Sequence, residues 1–170
     1  MPFLTANYGY GIDSTLTGFA SLNITSAVYG NFQSELGITK QLLNQNRYKP
    51  ALSITPVLNT LYRNKNAVRI FPQLDVNAFW EYGKKKNYFY LGVSNWFELA
   101  GKRTLNENQP RHWFFTPLAG HSFTGKKWNI IVEVKAIAPY LSNEKLVVDY
   151  ITPFKNNGAL GVYIGYTRKF

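Results

Sequence analysis

Hydrophobic and polar residues alternate with a period of two along most of this chain, and this pattern predicts β-strands rather than helices. Short stretches rich in polar residues, Gly and Asn separate the alternating runs. The predicted strands are residues 3–11, 15–24, 27–38, 50–62, 67–82, 87–100, 111–123, 127–138, 145–152 and 158–169. The segment Thr39 to Asn46 is the only one whose sequence predicts a helical turn. No amphipathic stretch is long enough to cross between parallel strands, so we expect antiparallel pairing.

Tight polar connections between the runs indicate hairpins. They are Arg63-Asn64-Lys65-Asn66, Gly83-Lys84-Lys85-Lys86-Asn87, Thr124-Gly125-Lys126 and Lys155-Asn156-Asn157-Gly158. The sequence therefore predicts an all-β protein, an antiparallel up-and-down β-barrel of about 8–10 strands with short turns. We expect one domain, residues 1–170, because no composition shift marks a linker.

Charges divide unequally between the two faces of the predicted strands, because successive side chains of a strand point to opposite sides of the sheet. In 67–82 every charge lies on one face, and 27–38, 87–100 and 127–138 also keep one face free of charge. We predict a polar network on the charged face, formed by Glu35, Arg69, Asp75, Glu81, Glu98, Glu133 and Lys135. We predict that the opposite face contacts the membrane through Leu74, Val76, Leu91, Val93, Ile130, Val132 and Val134.

The alternation fits two architectures. A closed barrel in lipid places its apolar residues outside and its polar residues inside. A soluble sandwich or lipocalin-like barrel gives the same alternation turned inside out, and its apolar faces would line a pocket for a hydrophobic ligand. Aromatic residues near strand ends, such as Trp80, Tyr82 and Trp128, favour the membrane because they match interfacial girdles. Bulky side chains on the charged faces, such as Phe71 and Tyr90, would fill a narrow lumen, so we do not expect an open pore.

The C-terminal segment Gly158–Phe170 carries alternating hydrophobic residues and ends in Phe. It resembles the closing strand of small bacterial outer-membrane β-barrel proteins, and the match rests on Leu160, Val162, Ile164, Tyr166 and Phe170, whereas Arg168 departs from it. The resemblance implies that Val162, Ile164, Tyr166 and Phe170 form the signal that the barrel-assembly machinery recognises. It also implies a bacterial outer-membrane location.

Prolines within the predicted strands bear on closure of the barrel, and the N-terminus and the lengths of the apolar runs bear on export and membrane crossing. Pro56, Pro72 and Pro117 lie inside predicted strands, where proline removes a ladder hydrogen bond, so we expect bulges, strand ends or different strand bounds there. The N-terminus lacks a basic segment followed by an apolar run, so we expect an exported protein to have this sequence as its mature form. No run approaches the roughly 20 apolar residues of a membrane-spanning helix, so any crossing requires strands.

The residues available for catalysis are few. Cys is absent, which excludes a thiolate metal site or a cysteine nucleophile. His112 and His121 are nine positions apart, so they lie on opposite faces and about 30 Å apart along a strand. Ser122 follows His121 directly and points to the other side, so a lipid-hydrolase triad is not assembled within this strand. We therefore predict no catalytic residues, no metal and no cofactor.

The net charge of +10 comes mainly from Lys and Arg in turns and at strand ends. Because these cations are spread over nearly every turn, they indicate membrane contact rather than nucleic-acid binding. We expect contacts with phospholipid or lipopolysaccharide headgroups, with the barrel-assembly machinery and with another envelope protein. The sequence thus favours a non-enzymatic outer-membrane barrel that acts as a structural scaffold or accessory subunit. A soluble barrel that binds a hydrophobic ligand and a lipid-modifying enzyme are the alternatives.

Overall fold

The computed structural model describes residues 4–63, 68–99, 112–142 and 156–169. Its strands form one antiparallel sheet in which each strand lies beside its neighbours in the sequence. The strands are β1 (Thr5–Gly11), β2 (Leu16–Asn23), β3 (Asn31–Leu43), β4 (Ala51–Arg63), β5 (Arg69–Tyr82), β6 (Asn87–Glu98), β7 (His112–Thr124), β8 (Trp128–Ser142) and β9 (Asn157–Arg168). The predicted all-β, up-and-down antiparallel fold is confirmed, with nine strands within the described residues.

The predicted helical turn at Thr39 to Asn46 is wrong. Residues up to Leu43 belong to β3, where Thr39 is paired with Thr17 of β2. Pairing with a neighbouring strand satisfies the backbone of this segment and overrides its weak local preference. The predicted strand 145–152 lies outside the described residues.

A short helix, α1 (Ile24–Val28), interrupts the chain where the sequence predicted the end of one strand and the start of the next. The Asn23 side chain accepts a hydrogen bond from the Ser26 backbone N–H, which is the geometry of a helix N-cap. Among the described residues, no helix has the length and apolarity needed to cross a membrane.

The chain divides into two compact units that share several strands. Unit 1 comprises Met1–Gln41, Ile54–Asp75 and Asn95–Trp113, and unit 2 comprises Leu42–Ser53, Val76–Ser94 and Phe114–Phe170. The expectation of a single domain stays a prediction.

Two of the predicted hairpins are confirmed in unit 2. In the first, Gly83 and Lys86 both have positive φ angles, +70° and +53°, and the Lys86 N–H donates to the Gly83 carbonyl. In the second, the Gly125 N–H donates to the Trp128 carbonyl over 2.8 Å. A Cβ at Gly125 would lie 2.3 Å from the Trp128 ring, so glycine makes room for this indole. The other two predicted hairpins extend into residues that are not described.

The prolines do not mark strand ends, because Pro56, Pro72 and Pro117 all lie inside β4, β5 and β7. Unit 2 has a register irregularity in β8, where the pairing with β9 shifts between Ile137 and Ser142. Ala138 at this bulge has a φ of +42°, and Pro139 follows it. A bulge leaves residues unpaired, so it accommodates a proline that could not donate to the ladder.

Candidate functional site

The polar face of unit 2, the face that carries Tyr90 and Glu133, holds a cluster of hydrogen-bonded and charged side chains. The Tyr90 hydroxyl donates to Glu133 Oε2 over 2.8 Å, and Lys135 Nζ lies 3.0 Å from Glu133 Oε1. Lys135 Nζ also lies 5.0 Å from the centre of the Tyr163 ring, within the range of a cation–π contact. We call Tyr90, Glu133, Lys135 and Tyr163 the tyrosine–glutamate cluster.

Gly120 makes this cluster possible. Tyr90 on β6 reaches Glu133 on β8 by crossing β7, and Gly120 is the β7 residue over which its ring passes. A Cβ at Gly120 would lie 2.3 Å from the end of the Tyr90 ring. Glycine at this position therefore gives the ring a flat backbone surface to lie on.

Removing either partner of the Tyr90–Glu133 hydrogen bond should destabilise the protein. We expect Tyr90→Phe to lower the free energy of unfolding by about 1–2 kcal/mol, because the half-buried Glu133 carboxylate loses a donor. Glu133→Gln should cost a similar amount, and the double variant should cost less than the sum of the two. Denaturant unfolding of the four proteins in detergent measures this coupling.

Tyr166→Phe is the matched control, since Tyr166 is an exposed tyrosine on β9. We expect it to leave the unfolding free energy unchanged within about 0.5 kcal/mol. Equal losses for Tyr90→Phe and Tyr166→Phe, or full additivity with Glu133→Gln, would argue against the cluster.

Unit 1 has a polar network of its own on the buried side of β4 and β5. Asn59, which is 1% exposed, donates through Nδ2 to the Phe71 carbonyl and to Gln73 Oε1. Gln73 Nε2 in turn donates to Asp75, 2.9 Å from each carboxylate oxygen. The Phe71 ring stacks on the Trp96 ring with centroids 5.5 Å apart. Polar and aromatic side chains therefore fill this side of the sheet together.

The residues predicted for the polar network occupy different settings. Glu133 pairs with Lys135, whereas Glu35 accepts from the Ser21 hydroxyl at 2.7 Å and Asp75 accepts from Gln73. Glu81 is exposed at the end of β5, and its backbone binds the Gln45 side chain. Arg69 and Glu98 are half-buried at the start of β5 and at the end of β6. The structure thus forms separate small clusters within each unit.

The residues predicted to face a membrane lie on the opposite, apolar face, and most of them are exposed. Leu91 is 46% exposed, Val134 is 41% exposed and Val76 is 41% exposed. Ile130 is also exposed, whereas Leu74, Val93 and Val132 are half-buried. In contrast, the buried side chains of the described residues include Ser53, Ser94, Thr116 and Ser122 of unit 2 and Ser21, Thr55 and Asn59 of unit 1. Each unit therefore buries several polar side chains beside a few apolar ones, such as Phe71 in unit 1 and Leu118 in unit 2, while many of its large apolar side chains are exposed.

Aromatic side chains gather on the apolar face of unit 2 close to its turns. The Trp80 ring stacks on the Phe89 ring with centroids 6.1 Å apart, and the Tyr82 hydroxyl is hydrogen-bonded to His121 Nε2. The His121 ring also lies 4.2 Å from the Phe123 ring. Sequence reasoning placed Trp80 and Tyr82 in such a belt, but it missed His121 because the Tyr82 contact bridges β6 and has no local signal.

His121 does not meet a serine in this arrangement. Ser122 is 0% exposed on the opposite face of β7, and its Oγ has no hydrogen-bond partner among the described residues. His121 Nδ1 likewise has no partner there. The side chains of Tyr82 and Phe123 that contact His121 form an aromatic surface around it.

The predicted assembly signal lies on an exposed face of β9. Val162 is 64% exposed, Ile164 is 78% exposed and Tyr166 is 69% exposed, whereas Phe170 lies outside the described residues. Val162 pairs with Val134 and Ile164 pairs with Val132, so β9 continues the apolar face of β8.

Within residues 4–63, 68–99, 112–142 and 156–169, no group of three or more His, Cys, Asp or Glu side chains could hold a metal ion. The side chains of the candidate site therefore offer hydrogen bonding, packing and charge. Comparisons of the chain with protein-family models, with curated proteins and with solved structures found no match.

Proposed function

We propose that this chain is a β-barrel of the bacterial outer membrane that acts without catalysis, as a structural scaffold or accessory subunit of a larger envelope complex. One observation supports the membrane setting more than the others. In each unit large apolar side chains are exposed while polar side chains are buried, and we call this pattern inverted burial. Large apolar side chains such as Ile164 and Leu91 are exposed, whereas Ser122 and Asn59 are buried. In water such an apolar surface would be a binding site or an aggregation hazard, and in a bilayer it is the surface that lipid requires.

The inverted burial also weighs against the soluble alternative. A lipocalin-like barrel that binds a hydrophobic ligand would shelter its apolar faces and expose its charged ones. Each unit instead shelters polar side chains, such as Asn59 in unit 1 and Ser122 in unit 2, beside the buried Val57 and Leu118. Such mixed surroundings suit hydrogen-bonded packing better than a hydrophobic ligand.

In the proposed arrangement each face has a separate task. The apolar face contacts lipid hydrocarbon, and the closed sheet satisfies its backbone hydrogen bonds internally. The polar side chains of the strands fill the lumen, which stiffens the barrel and leaves no open pore. Lys and Arg in the turns contact phospholipid or lipopolysaccharide headgroups, and the exposed face of β9 is presented to the barrel-assembly machinery. An apolar or loop surface contacts the partner envelope protein.

The experiment that tests this proposal is refolding with and without detergent. We expect the protein to stay monodisperse only in detergent or lipid, and to migrate differently on a gel when it is not heated. The physical reason is that water cannot solvate the exposed apolar face, whereas detergent tails can. A monodisperse monomer in detergent-free buffer would overturn the proposal.

A further inference from the structure

Eight cations lie at one end of the strands of unit 2, in three turns and beside the end of β9. We call this set the basic rim, and it consists of Arg47, Lys49, Lys84, Lys85, Lys86, Lys126, Lys127 and Lys169. All eight residues are exposed. The turn segments 44–50, 83–86 and 125–127 contain no Asp or Glu. The rim is therefore a dense positive surface, in contrast with the mixed charges within the strands.

Hydrogen bonds hold the first of these turns against the second. Asn46 and Lys49 exchange backbone hydrogen bonds of 3.2 and 3.0 Å, which closes the first turn. The Gln45 side chain then binds the backbone of Glu81 in both directions, just before the second turn begins. The Trp80 indole N–H also donates to the Tyr48 carbonyl at 3.0 Å. These contacts keep Arg47 and Lys49 beside the lysines of residues 83–86.

Further hydrogen bonds join the second turn to the third. The Thr124 hydroxyl donates to the Lys86 carbonyl at 3.1 Å, and the Thr124 N–H donates to Asn87 Oδ1 at 2.8 Å. The Lys169 N–H donates to the Lys127 carbonyl at 2.9 Å, which ties the chain after β9 to the third turn. The basic rim is thus an organised surface rather than a set of independent side chains.

An aromatic belt lies directly next to the basic rim on the apolar face. Tyr82, Phe89, Phe123 and Trp128 are all at least 40% exposed, and Tyr48 within the first turn is 93% exposed. Amphipathic rings favour the depth of the headgroups, where they meet both hydrocarbon and water. The order of apolar face, aromatic belt and cations is therefore the order of hydrocarbon, interface and phosphate across one leaflet.

We propose that the basic rim binds the phosphate groups of anionic phospholipids in the leaflet next to these turns. This inference rests on the proposed membrane function. It favours phospholipid over lipopolysaccharide because the turns of the rim are short, and outer-membrane barrels keep their short turns on the periplasmic side, away from lipopolysaccharide. The sequence between β6 and β7, residues 99–111, and that between β8 and β9, residues 143–156, are each longer than these turns. Lysine binds phosphate as a point charge, so clustered lysines suit mobile headgroups.

The test uses the full chain reconstituted in phosphatidylcholine vesicles that contain a small fraction of brominated lipid. Brominated chains quench nearby tryptophan fluorescence, and Trp80 and Trp128 lie next to the rim. We expect brominated phosphatidylglycerol to quench several-fold more effectively than brominated phosphatidylcholine in 50 mM salt. In 500 mM salt the difference should largely vanish, because the screening length falls to about 4 Å.

The triple variant Lys84→Gln/Lys85→Gln/Lys86→Gln should lose most of this preference, and the corresponding Lys→Arg triple should keep it. Its matched control is Lys65→Gln/Lys102→Gln/Arg103→Gln, which removes the same charge elsewhere in the sequence and should keep the preference. Equal loss in both Gln triples would mean that net charge alone attracts the lipid, and it would overturn the site.

Two further outcomes are decisive. In the first, unlabelled lipopolysaccharide displaces brominated phosphatidylglycerol better than unlabelled phosphatidylglycerol does. This result would overturn the assignment to phospholipid. A protein that inserts into pure phosphatidylcholine vesicles but shows no lipid preference would refute only the phospholipid binding by the basic rim. A protein that inserts into none of the vesicles would instead refute the proposed function.

Discussion

Val134→Arg is expected to block insertion of the protein into lipid vesicles. Val134 lies near the middle of β8 (Trp128–Ser142) and is 41% exposed on the apolar face. If β8 spans the bilayer, the new guanidinium lies near the midplane, where an arginine on the lipid face of a barrel costs about 2–4 kcal/mol. The fraction of folded, protease-protected protein in vesicles should therefore fall sharply, and unheated gels should show the loss of the folded band.

Ser14→Arg is the matched control for this substitution. Ser14 is exposed in the turn between β1 and β2, so the same charge is added outside any strand. We expect its insertion to equal that of the unchanged protein. Leu91→Arg, on the apolar face of β6, should repeat the defect in another strand, because Leu91 is 46% exposed.

The result distinguishes the membrane interpretation from the soluble one, because the two predict opposite effects of the arginine substitutions. In a soluble protein an exposed valine is replaced by arginine at little cost, and solubility rises. Vesicle insertion of Val134→Arg and Leu91→Arg at the same level as Ser14→Arg would show that these side chains do not face hydrocarbon.

Most strands could be predicted from the sequence because their two-residue period is strong over long stretches. β5 was predicted as 67–82 and is observed as Arg69–Tyr82. β8 was predicted to end at residue 138 but continues to Ser142. The sequence Ala138-Pro139 resembles a strand end, and only the register against β9 shows that the strand resumes after a bulge.

The errors lie where local and long-range preferences disagree. Thr39 to Asn46 has no strong strand pattern, yet pairing with β2 extends the strand through Thr39. Ile24 was predicted as the end of one strand, and Ala27 and Val28 as the start of the next. The cap formed by Asn23 and Ser26 instead closes one helical turn there.

The faces of the candidate site could be predicted, but its contacts could not. Alternation alone places Tyr90 and Glu133 on charged faces. Their hydrogen bond joins residues 43 positions apart across an intervening strand. Such a contact depends on the registers of β6, β7 and β8 together, and on Gly120 at the crossing point. The Gln45–Glu81 contact that organises the basic rim is equally non-local, at 36 positions.

The bulge of β8 also predicts which glycine of β9 is essential for stability. Gly158 has a φ of +59°, a conformation that costs residues with a side chain about 1–2 kcal/mol. A Cβ there would lie 2.6 Å from the Pro139 Cα and 2.8 Å from the Ile137 carbonyl oxygen. Both contacts are with backbone atoms, so no side-chain rotation relieves them. We expect Gly158→Ala to lower the free energy of unfolding by about 2–4 kcal/mol, as the strain and the overpacking add.

Gly165→Ala, in the same strand, is the matched control. A Cβ at Gly165 would meet Ile131 Cβ at 3.8 Å, an ordinary contact. We expect this variant to unfold within about 0.5 kcal/mol of the unchanged protein, because the added methyl group meets no clash and removes no contact. Urea unfolding in detergent micelles, followed by intrinsic fluorescence, measures both variants. If both variants unfold at the same urea concentration, β9 does not pack against the bulge of β8 as described. A large difference between them shows that the β8–β9 pairing depends on the left-handed conformation of Gly158, which lies at the register shift between the paired residues Asn157 and Ala159.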